Sequence, residues 1–169
     1  MIAYSDGVPA DGPELDAMAQ ESWIATFAHS CSEADRNAYF ATAYGPDGAL
    51  IRDLADPAHA YRIARVDGRI AGYAKLSPAW LPDAEEGAVQ LSQLYVLGAF
   101  HGTGIARTLM DWTIAAARAR GARALLLTVW EHNPRAIRFY QRKGFVHIGD
   151  YAFQVGEQTD RDLILRLAL

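Results

Sequence analysis

The stretch Leu91-Ser-Gln-Leu-Tyr-Val-Leu-Gly-Ala-Phe-His-Gly-Thr-Gly-Ile-Ala-Arg-Thr-Leu-Met110 decides how the chain is read. An apolar strand runs into a glycine-bearing turn, and the turn opens a long helix. Gly102 and Gly104 present no side chain to an approaching ligand. The first helical N–H groups, from Gly104 to Arg107, have no intrahelical partner. They lie where the helix dipole favours negative charge, so the turn can hold a phosphate or pyrophosphate. The same residues also suit a plain strand-to-helix connection that needs glycine for its dihedrals. A Walker loop does not fit, because Gly104 is followed by Ile105-Ala106 and not by Lys-Ser/Thr. A dinucleotide fingerprint does not fit either. The glycine spacing is wrong, and about twenty residues on the chain reads Arg120-Gly-Ala-Arg-Ala124, with no carboxylate.

A second segment narrows the reading. After the helix and another apolar run comes Trp130-Glu-His-Asn-Pro-Arg-Ala-Ile-Arg-Phe-Tyr-Gln-Arg-Lys-Gly-Phe145. Together the two segments resemble motifs A and B of the GNAT family of N-acetyltransferases. That family's phosphate loop reads Gln/Arg-x-x-Gly-x-Gly/Ala, and His101-Gly-Thr-Gly-Ile-Ala106 matches it everywhere but at the first place. Asn133, Ala136, Phe139, Tyr140, Gly144 and Phe145 match the second signature. The resemblance runs from about Tyr61 to the C-terminus and more weakly to the N-terminus. It implies an α/β fold with a mixed central sheet, splayed in the middle and flanked by helices.

Composition bounds the rest. A chain of 169 residues reads as a single domain spanning 1–169. Hydrophobic residues make up 51% and charged residues 21%, enough for a globular core. No apolar run reaches the ~18 residues of a membrane span. Met1-Ile-Ala-Tyr-Ser-Asp lacks the basic and apolar regions of a signal peptide. One cysteine, Cys31, allows no internal disulfide and fits a reducing cytoplasm; it reads as structural, not as a nucleophile. The net charge of −4 argues against nucleic acid as a partner and is compatible with a cationic substrate.

Residues 13–43 read as helical, with Leu15, Met18, Ala19, Ser22, Trp23 and Phe27 at helical spacing. Ser32 caps a second helix, with Asp35 three residues on. Gly45-Pro-Asp-Gly48 breaks it, and a short helix passes through Ile51 and Leu54. Ala60–Val66 and Arg69–Leu76 form strands joined by the hairpin turn Asp67-Gly68. Ser77–Gly87 is an acidic, proline-containing loop, and Ala88–Leu97 is the next strand. The helix from Gly104 to about Arg120 carries Ile105, Leu109, Trp112 and Ala116 on one face, and Gly121 caps it. Ala124–Val129 is a continuous apolar run, as in a central parallel strand. Asn133 caps the next helix, Pro134 occupies its first turn and Gly144 closes it. Val146–Phe153 and Asp162–Leu167 complete the chain as a hairpin.

The resemblance implies acetyl-CoA as cosubstrate, with no metal. Its pyrophosphate would rest on Gly102, Thr103, Gly104, Ile105, Ala106 and Arg107. Its pantetheine arm would pair with Leu94, Tyr95 and Val96 like an added strand. His101 departs from the usual Gln or Arg; a histidine can still donate to phosphate, or it is an exposed loop residue. Arg107 opposes the helix dipole unless a phosphate binds; otherwise it pairs with Asp111 at i, i+4. Asn133 is a cap that would also meet the pantetheine arm, beside Ala136. Phe139 and Tyr140 read by spacing alone as core aromatics. The resemblance makes Tyr140 the general acid for the departing thiolate. A phenol at ~10 and a thiol at ~8.5 leave full proton transfer weakly driven, so stabilising developing charge is much of its value.

An alkylammonium at ~10.4 is neutral about once in 2,500 molecules at pH 7, a cost of roughly 4.6 kcal/mol. Many family members place a glutamate on the third strand where this chain has Gln90, upstream of Val96. An amide cannot accept the proton and could only orient a water. Asp83, Glu85 and Glu86 lie nearby but read as a solvated loop, which leaves proton loss through water. Thr26–Tyr39 and Gly149–Leu163 resemble, more loosely, bacterial PaiA-like spermidine/spermine acetyltransferases. The acidic residues Asp83 to Glu86, Glu157 and Asp160 would suit a polyamine, and surface solvation explains them as well. A small amine or polyamine acceptor, attacking directly in a ternary complex, leads the readings. The alternatives are an N-terminal or lysine acetyltransferase acting on protein or peptide, and a non-catalytic acyl-CoA-binding module. No membrane partner is implied, and a homodimer stays open.

Overall fold

The computed structural model describes residues 1–169. In chain order the elements are β1 (Ile2–Asp6), α1 (Gly12–Phe27), α2 (Glu33–Ala43), α3 (Ala49–Leu54), β2 (Ala60–Val66) and β3 (Arg69–Pro78). Then come β4 (Ala88–Val96), α4 (Ile105–Ala119), β5 (Ala124–Trp130), α5 (Pro134–Arg142), β6 (Val146–Val155) and β7 (Gln158–Ala168). The seven strands form one mixed sheet in the order β1-β2-β3-β4-β5-β7-β6. No helix is long and apolar enough to cross a membrane.

The β4–β5 junction is the parallel one, and it is short: Ala88, Val89 and Gln90 face Ala124, Leu125 and Leu126. Beyond Gln90 the two strands part. β4 stays with β3 as far as Val96 opposite Gly72, with a bulge between Lys75 and Leu76. β5 stays with β7 as far as Trp130 opposite Asp162. The sheet is thus splayed in its middle, as the family resemblance implies.

Helices cover both faces. Leu15, Met18, Ala19 and Trp23 of α1 join Leu50, Tyr61, Ile63 and Tyr73 in one core. Ile105, Leu109 and Met110 of α4 join Leu125, Leu127, Val129 and Tyr140 in the other. The two-residue period of a strand separates the faces of β5. Leu125, Leu127 and Val129 enter the α4 core, whereas Trp130 lies against Phe27 of α1, with ring centroids 5.4 Å apart.

Local signals explain the helix ends. Ser32 Oγ accepts the Asp35 backbone N–H at 3.0 Å and starts α2. Asn133 Oδ1 accepts the Ala136 N–H at 3.3 Å and starts α5, with Pro134 in the first turn. Three features differ from the sequence reading. β1 was not expected; it is an exposed edge strand paired to β2, with no buried side chain to mark it. The helical stretch 13–43 is broken by a 3-10 turn at Ala28–Ser30. β7 begins at Gln158, so Asp162 lies inside a strand paired on both sides.

Candidate active site

The splay opens a cavity of about 770 Å³ that passes between β4 and β5. Its wall takes residues from both sides of the sheet. The turn before α4 and the helix α5 line one part; α1, α2 and the hairpin β6–β7 line the other. Two ligands can therefore approach from opposite faces and meet in the gap. Leu94, Tyr95, Val96, His101, Gly102, Gly104, Ile105, Ala106, Arg107, Asn133, Ala136, Phe139 and Tyr140 all line it. Thr103 does not; its hydroxyl donates to the Phe100 carbonyl at 2.7 Å and braces the turn.

At the turn, Gly102 and Gly104 have φ of +81° and +90°, and no atom stands within 3.5 Å of where a Cβ would project at either. Glycine is required here for its backbone conformation, and it also leaves the surface open. The N–H groups of Gly102, Gly104, Ile105, Ala106 and Arg107 make no hydrogen bond within the chain, while Thr108 N–H is the first to close a helical turn, on Gly104 O. An anion is the natural partner for such a set.

His101 is engaged within the chain. Its Nε2 lies 2.9 Å from the Val96 carbonyl oxygen and its Nδ1 lies 2.6 Å from Arg135 Nη1. Both ring nitrogens are engaged: Nε2–H donates to Val96 and Nδ1 accepts from Arg135. The histidine therefore holds the strand end and brings Arg135 to the cavity wall. Sequence reasoning passed over Arg135 because 34 residues separate it from His101. Arg107 also differs from the ion-pair reading, since Asp111 binds Lys143 Nζ at 2.6 Å instead. Arg107 faces the cavity without an ion partner.

Tyr140, two turns into α5, is 8% exposed, with its ring edge-on to Phe139 and Phe145. Burial holds its phenol well above the usual range. No donor or acceptor of the chain bonds its hydroxyl, which reaches the cavity free. Tyr95 packs edge-on against Tyr73, and its phenol feels both Tyr140 and Asp162 electrostatically.

On the other face the wall is aromatic and acidic. Trp23, Phe27, Tyr39, Trp130 and Phe153 form it; Trp23 stacks on Tyr39 at 5.3 Å and Phe153 meets Tyr39 edge-on at 5.6 Å. Asp160 lies in this wall. Glu157 does not; its backbone N–H binds Asp35 Oδ1 at 2.8 Å. Cys31 lines the wall too, but burial and then the Asp160 and Asp35 charges push its thiol up, the opposite of what a nucleophile needs.

Gln90 is fully buried, accepts the Trp80 backbone N–H at 3.1 Å and stands off the cavity wall. Its Nε2 is buried without a hydrogen-bond partner in the chain. Asp83 and Glu85 border a separate small hollow, and Glu85 is tied to Arg166 by two hydrogen bonds of 2.5 and 2.8 Å. Asp83, Glu85 and Glu86 stand outside the splay cavity, although Trp80 of the same loop lines it.

Comparison with known proteins agrees with this architecture. An uncharacterized N-acetyltransferase of Mycobacterium tuberculosis is 36% identical over 158 residues, 92% of this chain and 96% of that one. The crystal structure of PaiA N-acetyltransferase from Thermoplasma acidophilum, in complex with coenzyme A, superposes with a TM-score of 0.78. It is 20% identical and the match covers 100% of this chain and 99% of that chain. YncA of Salmonella typhimurium, solved with its cofactor acetyl-CoA, gives a TM-score of 0.71 at 18% identity over 100% and 94% of the two chains. The sequence model of the acetyltransferase family matches residues 15–145, and the chain belongs to the acetyltransferase (GNAT) family.

Proposed function

We propose that the protein transfers the acetyl group of acetyl-CoA to the primary amine of a small cationic molecule, of which a polyamine is the type. The observation that carries this reading is the two-faced cavity. One mouth offers unpaired N–H groups with Arg107 and Arg135, a setting for phosphates. The other offers Trp23, Tyr39, Trp130 and Phe153 with Asp160, a setting for an ammonium group. Between them β4 leaves the edge at Leu94, Tyr95 and Val96 without a β5 partner. An amide-rich pantetheine arm can add there as a strand would. Asn133 keeps its side-chain N–H₂ for that arm, because the cap uses only Oδ1. The amine then attacks the thioester directly, with both substrates bound.

Thiol release from acetyl-CoA, followed with polyamines, simple monoamines and peptides bearing a free α-amine or a lysine, tests the acceptor class. A polyamine should show kcat/KM at least about tenfold above the best peptide, a difference of ~1.4 kcal/mol in transition-state binding. A peptide preferred by the same margin would replace the small-amine reading with a peptide one.

A further inference from the structure

We propose that Asp162, in the middle of β7, takes the proton that the acceptor's ammonium must lose before its nitrogen attacks the thioester. The proposal rests on the reading that an amine is acetylated in the splay. Asp162 is 7% exposed, and no ion pair or hydrogen-bonding backbone N–H holds it. Its polar neighbour is the Thr128 hydroxyl on β5. The chain's other buried aspartate, Asp16, is fully accounted for, with Gly45 N–H at 2.9 Å and Gln20 Nε2 at 2.7 Å. The exposed carboxylates near the hairpin also have partners, since Asp150 and Glu131 each hold Arg161. A buried carboxylate with no cation is costly, and a cation arriving in the splay would relieve that cost.

Register places it for that role. Asp162 faces Trp130 across β5 and Tyr151 across β6, so these three share a sheet face. Thr128, the diagonal neighbour, and Asp160, two residues back, lie on the same face and line the cavity. Asp162 is not itself in the lining but stands one step behind that wall, so the proton would reach it through a bridging water. The titratable groups that face it are Asp160 on its own strand, Tyr151 opposite on β6, Tyr39 of α2 and Tyr95 of β4. None is a cation. Burial, with a further push from Asp160, raises its carboxyl to about 6, nearer than an ordinary carboxylate to a base poised for neutral pH.

The step balances. R–NH₃⁺ gives one proton to the Asp162 carboxylate, which becomes the acid. The freed lone pair bonds the thioester carbonyl carbon, and the C–S bond breaks. The sulfur leaves with the proton of the Tyr140 hydroxyl. The nitrogen's surplus proton returns to Tyr140 through water, leaving an amide with one N–H. Asp162 then releases its proton to solvent.

The test compares Asp162→Asn with the wild type on the best acceptor of the panel, as kcat/KM against pH. The wild type should lose rate below about pH 6, as the carboxylate protonates, and hold a plateau from there to the amine's own titration near ~10. In the amide variant the plateau should vanish. Its rate should climb about tenfold per pH unit up to that titration, with a loss of about a hundredfold or more at pH 7. Affinity for coenzyme A, by calorimetry, should stay unchanged. The amide removes a buried charge, so the melting temperature at pH 8 should hold or rise; if the amide fails to fold, Asp162→Ser takes its place. Asp162→Glu should restore a plateau. A folded variant that keeps the wild-type plateau, or one that raises KM alone, would overturn the assignment. If the wild type prefers peptides, the small-amine reading fails separately, and the same profile taken on the peptide still reports on Asp162.

Discussion

Replacing Tyr140 with phenylalanine should lower turnover by about 10²–10⁴, the usual cost of losing an acid catalyst, while leaving the fold intact. The ring packs between Phe139 and Phe145, and those edge contacts survive the change. The hydroxyl bonds nothing within the chain, so its loss removes no core hydrogen bond. The hydroxyl opens on the cavity and loses no partner on removal, so the melting temperature of Tyr140→Phe should hold. Burial raises the phenol further above a thiol than it is in water. Full transfer ahead of C–S cleavage is therefore uphill, and the hydroxyl acts by donating to sulfur as charge develops there. It stays protonated across the neutral range, so it adds no limb to the pH–rate profile near pH 7. Turnover and melting measured on one preparation check this; a folded variant with wild-type turnover would remove Tyr140 from the chemistry.

Gly104→Val should weaken coenzyme A binding by about a hundredfold, roughly 2.7 kcal/mol. Gly104 is the residue that precedes α4, at φ +90°, and Arg107 Nη2 lies 3.9 Å from where a Cβ would stand. A branched side chain there covers the unpaired N–H groups of Ile105 to Arg107. It is also strained at positive φ, a cost of order 1–3 kcal/mol to the fold. Gly121→Val separates the two effects. Gly121 follows the other end of α4 at φ +72°, with open space around its Cβ position. Both variants should lose similar stability, and calorimetry should find the affinity loss in Gly104→Val alone. Equal affinities in the two folded variants would exclude the turn as the phosphate site.

The strand, turn and helix from Leu91 to Met110 and the helix from Asn133 to Gly144 were legible because their signals are local. Glycines stand where φ is positive, a cap and a proline fix a helix start, and apolar residues recur at the helical period. β1 carried no such signal, being a short edge strand with no buried side chain. Arg135 escaped notice because its role depends on His101, which packing and not spacing brings beside it. Asp162 was read as the first residue of a strand and not as its middle. Its flanking residues are Trp130 of β5 and Tyr151 of β6, and Tyr39 of α2, more than a hundred residues earlier in the chain, lies near it. The alternation of Asp160, Asp162 and Ile164 against Leu163, Leu165 and Leu167 was a usable sign that one face of β7 is charged.

Donor and acceptor should enter the splay from opposite faces and react there together. Initial rates measured over a grid of acetyl-CoA and amine concentrations test it most directly. Both substrates bound at once predicts double-reciprocal lines that intersect, with no acetylated protein detected by mass spectrometry when acetyl-CoA is added alone. Parallel lines with an acetyl group carried on the chain, on Cys31 for example, would show a two-step transfer and contradict the account.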